Sequence, residues 1–201
     1  MCLMEYPLRQ NKLIAGVDEA GRGCLAGPVV AAATILPAGF QSPGLNDSKQ
    51  VSSARRTFLR HQIESEALCY AVAFVFPVRI DAINILRASI EAMHMAIGNL
   101  SIPPEFLLID GNRFYNYKDV LHECVVKGDG KYLSIAAASI LAKTYRDEFM
   151  KEWHWKYPGY GWEKNKGYPT SEHRRGLVRY GPCDLHRKTF RLLPAEQIEI
   201  F

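Results

Sequence analysis

The chain has 201 residues, of which 48% are apolar and 23% are charged, a composition that is ordinary for a folded domain and excludes a disordered chain. Its net charge is only +4, but basic residues are concentrated between Lys164 and Arg191, where only Glu172 and Asp184 oppose them. This uneven distribution predicts a surface that attracts phosphates. The five cysteines are scattered without a C-x-x-C pair, so neither a disulfide framework nor a zinc site is predicted.

The apolar runs of the chain carry no targeting or membrane signal. Residues 1–12 lack the continuous apolar segment of a signal peptide, and no apolar run approaches the roughly 20 residues that cross a bilayer. Unpaired thiols fit a reducing compartment. We therefore expect a cytoplasmic protein, and a monomer is the simplest expectation for its assembly.

The first part of the chain predicts three strands and one helix. Residues 13–17 and 28–36 have the character of strands, the second being rich in β-branched residues and alanine. A loop follows over residues 37–49, which contain two prolines and two glycines. Ser52 or Ser53 can cap a helix that runs to about Glu66, and residues 67–76 predict the third strand.

Helices and strands alternate in the remainder. Apolar residues at helical spacing predict helices over residues 80–100 and 133–153. Strands are predicted at 106–109 and 123–127, and a short basic helix at 171–180. This order predicts an α/β layer fold, with helices flanking the sheet. The short turn between the first two strands predicts that they are antiparallel and the sheet mixed.

Four acidic residues stand at the ends of predicted strands. Asp18 and Glu19 follow the first strand, Asp110 ends the fourth, and Asp129 lies just past the fifth. Because ligand chemistry in α/β folds gathers at strand ends, we expect these carboxylates to converge. Gathered acids repel one another unless a cation neutralises them, and oxygen ligands favour Mg²⁺ or Mn²⁺ over zinc. Two such ions about 3.5–4 Å apart can bind the attacking water and the leaving oxygen of a phosphodiester.

Each of these acids, taken alone, also has a structural interpretation as a turn former or a cap. Neighbouring residues on a regular strand point to opposite faces of the sheet. Asp18 and Glu19 can therefore share a site only if the chain bends at Glu19, which Ala20 and Gly21 permit.

Asp147 is an acid that we assign to the structure instead of the site. If its helix begins near residue 133, Asp147 lies about 21 Å along it. A site touched by Asp129 cannot easily include it. The prediction is a salt bridge with Arg146 or Lys151.

The sequence resembles the ribonuclease HII family along nearly its whole length. The resemblance rests on nine motifs that occur in the order expected for the family. They are residues 18–23 (DEAGRG), 25–33 (LAGPVVAAA), 46–49 (NDSK), 83–86 (INIL), 109–112 (IDGN), 127–129 (KGD), 135–143 (IAAASILAK), 166–170 (KGYPT) and 186–190 (HRKTF).

The resemblance implies a ribonuclease-H-like fold, a mixed β-sheet flanked by helices with a small helical C-terminal subdomain. Residues 1–157 would form the catalytic core, and residues 158–201 a basic helical segment that completes the substrate groove. It implies an endonuclease that cleaves the RNA strand of RNA–DNA hybrids and incises 5′ of single ribonucleotides in duplex DNA, leaving a 5′-phosphate and a 3′-hydroxyl. The metal-binding acids carried over from the family are those chosen from the strand ends: Asp18, Glu19, Asp110 and Asp129.

Two short segments are candidates for reading the ribose. Glycines on both sides of Arg22 let a polyanion approach the backbone of Gly21 and Gly23, and the arginine can reach a phosphate. The resemblance implies that this turn contacts the 2′-hydroxyl, and that Tyr168 packs against the nucleotide beside the ribose. Without the resemblance, a turn and a half-buried tyrosine would be the simpler interpretations.

A further set of side chains are candidates for phosphate contacts, which position a duplex without reading its sequence. Ser139 and Lys143 share a helix face at i, i+4 and can reach one phosphate. The full set is Lys49, Ser139, Lys143, Lys166, His186, Arg187 and Lys188. Any single basic residue among them is otherwise a solvated surface charge.

Departures from the family pattern and competing functions complete the sequence interpretation. In the family, a proline is usual at the position of Cys24 and a histidine is common at that of Asn165. These two changes bear on selectivity for the RNA–DNA junction. Two other functions stay open, a module that binds duplexes without cutting and another ribonuclease-H-like nuclease that cuts DNA. Convergent acids argue against the first, because they would repel a nucleic acid without any benefit to binding. The glycine–arginine turn and Tyr168 argue against the second, because a nuclease that cuts DNA would need neither. Ribonuclease HIII carries an extra N-terminal domain, for which the residues before the first strand are too few.

Overall fold

The computed structural model describes residues 3–6, 12–45 and 52–194. Lys49, a predicted phosphate contact, lies outside these residues. The elements are, in chain order, β1 (Ile14–Ala20), β2 (Val29–Ile35), α1 (Ser53–Glu66), β3 (Cys69–Val75), α2 (Pro77–Ile83), α3 (Ile85–Gly98), β4 (Phe106–Asp110), β5 (Leu121–Val125), α4 (Leu133–Lys156), α5 (Trp162–Asn165) and α6 (Ser171–Tyr180). Short 3-10 turns lie at Gly128–Gly130 and Pro158–Tyr160.

The five strands form one mixed sheet in the order β3-β2-β1-β4-β5. The neighbours β1–β2 and β2–β3 are antiparallel, whereas β1–β4 and β4–β5 are parallel. The predicted mixed α/β sheet is therefore confirmed. Because β1 and β4 lie at the centre and run parallel, their carboxyl ends meet at the same edge of the sheet.

Helices cover both faces of the sheet, which explains why β2 is buried at every position. On one face α3 packs against alternate residues of the central strands, among them Val17 and Ile109. On the other face α4 packs against β1 and β2, and α1 packs beside α4. Small residues allow the close approach of α4: a Cβ on Gly16 would lie 2.2 Å from the Ser134 carbonyl carbon. Glycine at this position therefore lets the start of α4 rest directly on β1.

The predicted single helix over residues 80–100 is wrong, because two helices occupy the region. Pro77 starts α2, and α2 ends at Ile83 because Asn84 has a φ of 68°. The Asn84 side chain then accepts a hydrogen bond from the backbone N–H of Arg87 at 3.1 Å and caps α3. The capping asparagine interrupts an apolar periodicity that continues across both helices.

Two strand boundaries near the site differ from the prediction. β1 continues through Ala20 instead of ending at Val17, and β5 lies over Leu121–Val125 instead of 123–127. The left-handed backbone of Lys127, with a φ of 55°, starts the turn that leads to α4. None of the helices in the described ranges has the length and apolar character needed to cross a bilayer.

The segment after α4 folds back on the core instead of standing apart. Leu25 and Ala26, from the loop between β1 and β2, form one apolar cluster with Met150 of α4 and with Trp162 and Leu177 of the later helices. The division at residue 157 stays a prediction. This cluster brings the loop that follows β1 against the basic C-terminal segment.

Candidate active site at the ends of β1 and β4

Asp18 and Asp110 lie side by side at the ends of the two central parallel strands. The pairing of β1 with β4 places Val17 opposite Ile109, and each acid is the next residue of its strand. Gly16 and Leu108 face α4, so strand alternation directs Asp18 and Asp110 to that same face. The sheet register therefore brings together two acids that are far apart in the sequence.

Asp18 is buried, with only 5% of its surface exposed. Its Oδ1 accepts a hydrogen bond from the backbone N–H of Glu19 at 2.7 Å, and the hydroxyl of Ser139 on α4 donates to the carboxylate. Burial, together with the charges of Glu19 and Asp110, raises the pKa of Asp18 well above its ordinary value, and the two hydrogen bonds lower it only in part. The site is thus built around a buried carboxyl group flanked by two other acids.

Glu19 points to the opposite face of the sheet from Asp18. β1 remains paired through Ala20, and the charge of Glu19 still acts on the carboxyl of Asp18, so the two acids lie near each other at the strand end without a break in the strand. Glu19 Oε1 accepts from Arg22 Nη1 at 3.0 Å, while its Oε2 is buried without a hydrogen-bond partner in the described structure. Burial raises the pKa of Glu19, although the neighbouring Arg22 lowers it. A buried carboxylate oxygen without a donor is a vacant ligand atom beside Asp110.

Asp129 sits in the turn that precedes α4, next to Asp110. The Asp110 Oδ1 accepts from the backbone N–H of Gly128 at 2.7 Å, and Asp129, the next residue, is 6% exposed. A Cβ on Gly128 would lie 2.5 Å from Ile135 Cδ1, so glycine is needed for the turn to pack closely against α4. Asp129 therefore directly follows Gly128, the residue whose backbone N–H bonds to Asp110.

The chemistry of these donors fits a hard divalent cation, although the acids are not drawn together into a ligand set. Across residues 3–6, 12–45 and 52–194, no three His, Cys, Asp or Glu side chains are grouped to hold a metal ion. Carboxylates repel one another without a cation, and each acid here instead bonds to protein groups. The vacant Glu19 Oε2 and the buried Asp18 flanked by two acids are the two observations that favour a cation at this edge.

A cleft of about 310 Å³ opens beside Glu19 and Asp110. Arg22 lines it, together with Asn112 and Arg113 from the loop after β4. Asn112 and Arg113 are not among the site residues predicted from the sequence, although their position just after Asp110 is a signal for them. The cleft therefore places two guanidinium groups where an anionic ligand would approach the acids.

The glycine–arginine turn after β1 presents one open side and one closed side. Gly21 has a φ of +94°, and a Cβ there would lie 2.0 Å from Arg146 Nε, so only glycine fits. A Cβ on Gly23 would meet nothing within 4 Å. The Arg22 side chain is 51% exposed. The turn thus offers its Gly23 backbone to a ligand while Gly21 is packed against the protein.

Tyr168 lies against this turn. The residue is 38% exposed, its hydroxyl donates to Cys24 Sγ, and the Lys143 Nζ lies 5.4 Å from the ring centroid. Asn165 Oδ1 accepts from the backbone N–H of Gly167 at 2.8 Å. The two positions that depart from the family pattern, Cys24 and Asn165, therefore both support the tyrosine segment.

Three of the candidates for phosphate contacts, Ser139, Lys143 and Lys166, are already paired with protein groups. Ser139 donates to Asp18, and Lys143 forms an ion pair with Asp147 at 2.6 Å. Asp147 is therefore structural as expected, but its predicted partners Arg146 and Lys151 are wrong. Lys166 Nζ donates to the Glu163 carbonyl. Lys143 and Lys166 are lysines whose pairing a phosphate could replace.

Lys188 and the two residues before it occupy different environments. Lys188 is exposed, and its backbone N–H donates to Asp81 Oδ2 at 2.8 Å. His186 is 1% exposed and Arg187 is fully buried. His186 Nε2 lies 3.0 Å from His173 Nε2, and Arg187 donates to backbone carbonyls. The prediction that His186 and Arg187 contact phosphate is corrected here, because neither is accessible to one.

Comparison with known sequences identifies the family. A sequence model described as Ribonuclease HII matches residues 15–193. A relative named Ribonuclease HII from Christiangramia forsetii is 59% identical over 187 residues, covering 93% of this chain and 94% of the relative. Another Ribonuclease HII, from Bacteroides thetaiotaomicron, is 58% identical over 198 residues and 98% of both chains.

Comparison with solved structures agrees in fold. The ribonuclease H2 of Pyrococcus horikoshii matches with a TM-score of 0.74 and 28% sequence identity, over 89% of this chain and 94% of that chain. A ribonuclease HII from Archaeoglobus fulgidus, solved as a complex with PCNA, matches with a TM-score of 0.76 and 26% identity, over 90% and 96% of the two chains. The expected ribonuclease-H-like fold is confirmed.

Proposed function

The chain belongs to the ribonuclease HII family and is a type 2 ribonuclease H, an endonuclease, and we propose that it depends on divalent metal ions and incises DNA at single embedded ribonucleotides. The proposed cut lies 5′ of the ribonucleotide and leaves a 5′-phosphate and a 3′-hydroxyl. RNA–DNA hybrids are the other proposed substrate, as the family implies. One chain contains both the acids and the glycine–arginine turn with Tyr168, so a monomer is the proposed working form. The cytoplasm is its proposed location.

The observation that carries the metal dependence is the pairing of Asp18 with Asp110 beside the vacant oxygen of Glu19. We assign these three acids and Asp129 as the residues that hold Mg²⁺ or Mn²⁺. The bound ions supply the charge that activates the attacking water and stabilises the leaving oxygen. Arg22, which bonds to Glu19 here, is positioned to exchange that partner for a substrate phosphate.

Recognition of the ribose is assigned to the turn and the tyrosine. A 2′-hydroxyl both donates and accepts hydrogen bonds, and the open side of Gly23 lets a sugar approach backbone groups closely. The exposed part of the Tyr168 ring supplies a flat apolar surface for the neighbouring deoxyribose. Arg22, Lys143, Lys166 and Lys188 are assigned to the phosphate backbone, where their contacts position the duplex.

The decisive experiment uses three duplexes of one sequence, containing a single ribonucleotide, a continuous RNA strand, or DNA alone. With Mg²⁺ or Mn²⁺ we expect cleavage of the first two, a single incision in the first, and no product in chelator. Asp110→Asn should abolish cleavage and leave the fold intact, whereas Asp119→Asn, an exposed acid outside the site, should retain full activity. Equal cutting of the all-DNA duplex would instead support a DNA nuclease, and binding without cutting would support a duplex-binding module.

A further inference from the structure

Two fully buried arginines lie beneath the glycine–arginine turn, and the proposed function assigns neither of them a role. Arg146 belongs to α4 and Arg187 to the C-terminal segment, and both are 0% exposed. A buried guanidinium is stable only where its donors are satisfied. Here the acceptors are backbone carbonyls, and all but the Pro28 carbonyl belong to the segments proposed to read the substrate.

Arg187 bonds to both ends of the turn. Its Nη2 donates to the Gly21 carbonyl at 2.7 Å, its Nη1 to the Arg22 carbonyl at 2.9 Å, and its Nε to the Gly27 carbonyl at 3.1 Å. One planar side chain therefore fixes the carbonyl directions of residues on both sides of Gly23. Those directions also fix where the intervening N–H groups point.

Arg146 joins the same turn to the tyrosine segment. Its Nε donates to the Pro28 carbonyl at 3.0 Å and its Nη2 to the Ala26 carbonyl at 3.0 Å. Its Nη1 donates to the Lys166 carbonyl at 2.9 Å. The Arg146 side chain also fills the space beside Gly21 that a Cβ would occupy.

Backbone hydrogen bonds complete the connection between residues 21–27 and 166–168, which we call the reading segments. The N–H of Leu25 donates to the Gly167 carbonyl at 2.8 Å, and the N–H of Arg187 donates to the Leu25 carbonyl at 2.9 Å. A Cβ on Gly167 would lie 2.6 Å from the Ala26 carbonyl oxygen. The two segments are therefore in direct contact, with the arginines behind them.

Arginine is the side chain that this arrangement requires. Its rigid fork presents several donors in one plane and is more weakly hydrated than an ammonium group, whereas lysine offers a compact point charge. Burial lowers the pKa of Arg187 to about 10, so the group remains charged at neutral pH.

We infer that Arg146 and Arg187 are positioning residues that hold the two reading segments as one rigid unit, and that this rigidity sets the rate at ribonucleotides without adding affinity for the duplex. The inference rests on the proposed function, because the reading role of the segments comes from it. Misplacement of a binding group by about 1 Å can lower a rate about 100-fold. The loss should therefore appear in turnover, and binding of plain duplex should be unchanged.

The first test measures rigidity without any substrate. We compare hydrogen exchange in the wild type, Arg187→Lys, Arg146→Lys and the control Arg60→Lys, since Arg60 bonds to Glu64 at 2.7 Å and Glu148 at 2.8 Å, away from the reading segments. We expect the first two variants to exchange faster in both reading segments while β1 and β2 stay protected. Unchanged exchange in the reading segments of a folded variant would overturn the inference.

The second test separates positioning from phosphate binding. For Arg187→Lys and Arg146→Lys we expect kcat on the single-ribonucleotide duplex to fall about 10- to 100-fold, with the Kd for the all-DNA duplex within about twofold of wild type. A matching loss of affinity for all-DNA duplex would show that the arginines act on phosphates, and unchanged kcat would refute the positioning role. A wild type that does not cut the ribonucleotide would refute the proposed function, while the exchange result would still decide whether the arginines hold the segments.

Discussion

Replacing Asp18 with asparagine should remove activity and at the same time stabilise the metal-free protein. Asp18 is 5% exposed and lies next to two other acids. Neighbouring strands are about 4.8 Å apart, and two unit charges about 5.5 Å apart repel by roughly 3 kcal/mol at an effective dielectric constant of about 20. The hydrogen bonds from Ser139 and the Glu19 amide weaken by about 1–2 kcal/mol when the acceptor becomes neutral. The expected net gain in unfolding free energy is therefore about 1–2 kcal/mol, or roughly 2–8 °C in Tm.

The sign of this effect depends on pH and on metal. The pKa of Asp18 is raised in the folded protein, so the folded state loses stability as pH rises and the group ionises. The advantage of the variant should therefore be largest near pH 8 and vanish below the ordinary aspartate value of 3.8. Metal at ten times its Kd stabilises the wild type by about 1.4 kcal/mol, and the variant should lose most of this gain.

The assay is thermal unfolding of the wild type, Asp18→Asn and the control Asp119→Asn in chelator and in Mg²⁺, with cleavage measured in parallel. Asp119 is exposed, so its variant should match the wild type in every condition. The reasoning is refuted if folded Asp18→Asn melts at or below the wild-type temperature in chelator at pH 8. It is also refuted if the variant gains as much stability from metal as the wild type does.

Three further predictions concern the turn, the buried histidine and the basic helix. Gly23→Ala should fold normally, because a Cβ there meets nothing within 4 Å, but the added methyl group should block the sugar and lower the cleavage rate on ribonucleotide duplex about tenfold or more. Gly21→Ala should instead lower the unfolding free energy of the protein by about 1–3 kcal/mol or more, because its Cβ would overlap Arg146. Melting curves and cleavage rates test both variants. Burial lowers the pKa of His186 to about 4, so the unfolding free energy should fall by up to about 1.4 kcal/mol per pH unit as pH drops from about 6.5 toward 4. Unfolding free energies measured by urea titration at several pH values should depend less steeply on pH in His186→Gln than in the wild type. Arg175→Gln, on the exposed face of α6, should reduce the slope of log affinity against log salt for all-DNA duplex by about one, as expected if α6 contacts a phosphate. An unchanged slope would place α6 off the duplex.

The elements and the acids at the strand ends could be predicted because their signals are local. The apolar run before Asp110 and the alternation of strands with helices indicated an α/β sheet, and the mixed pairing followed from one short turn. The capping Asn84 was missed since its neighbours keep a helical apolar spacing on both sides. The glycine–arginine turn stood out by residue type, whereas motif resemblance added its role at the 2′-hydroxyl and the role of Tyr168.

Only the tertiary structure determined which charged side chains face the solvent. Arg187 and His186 lie in a basic run that reads as a phosphate-binding surface, but both are buried by contacts with the rest of the protein. The acceptors of Arg187 lie about 160 residues earlier in the chain, and no local pattern records such a contact. The orientation of Glu19 toward the face opposite Asp18 also depends on long-range contacts. Pairing with β2 extends β1 past Glu19, and neighbouring residues on a strand point to opposite faces. The sequence determined which residues carry the chemistry, and long-range packing decided which of them reach a ligand and which hold the others in place.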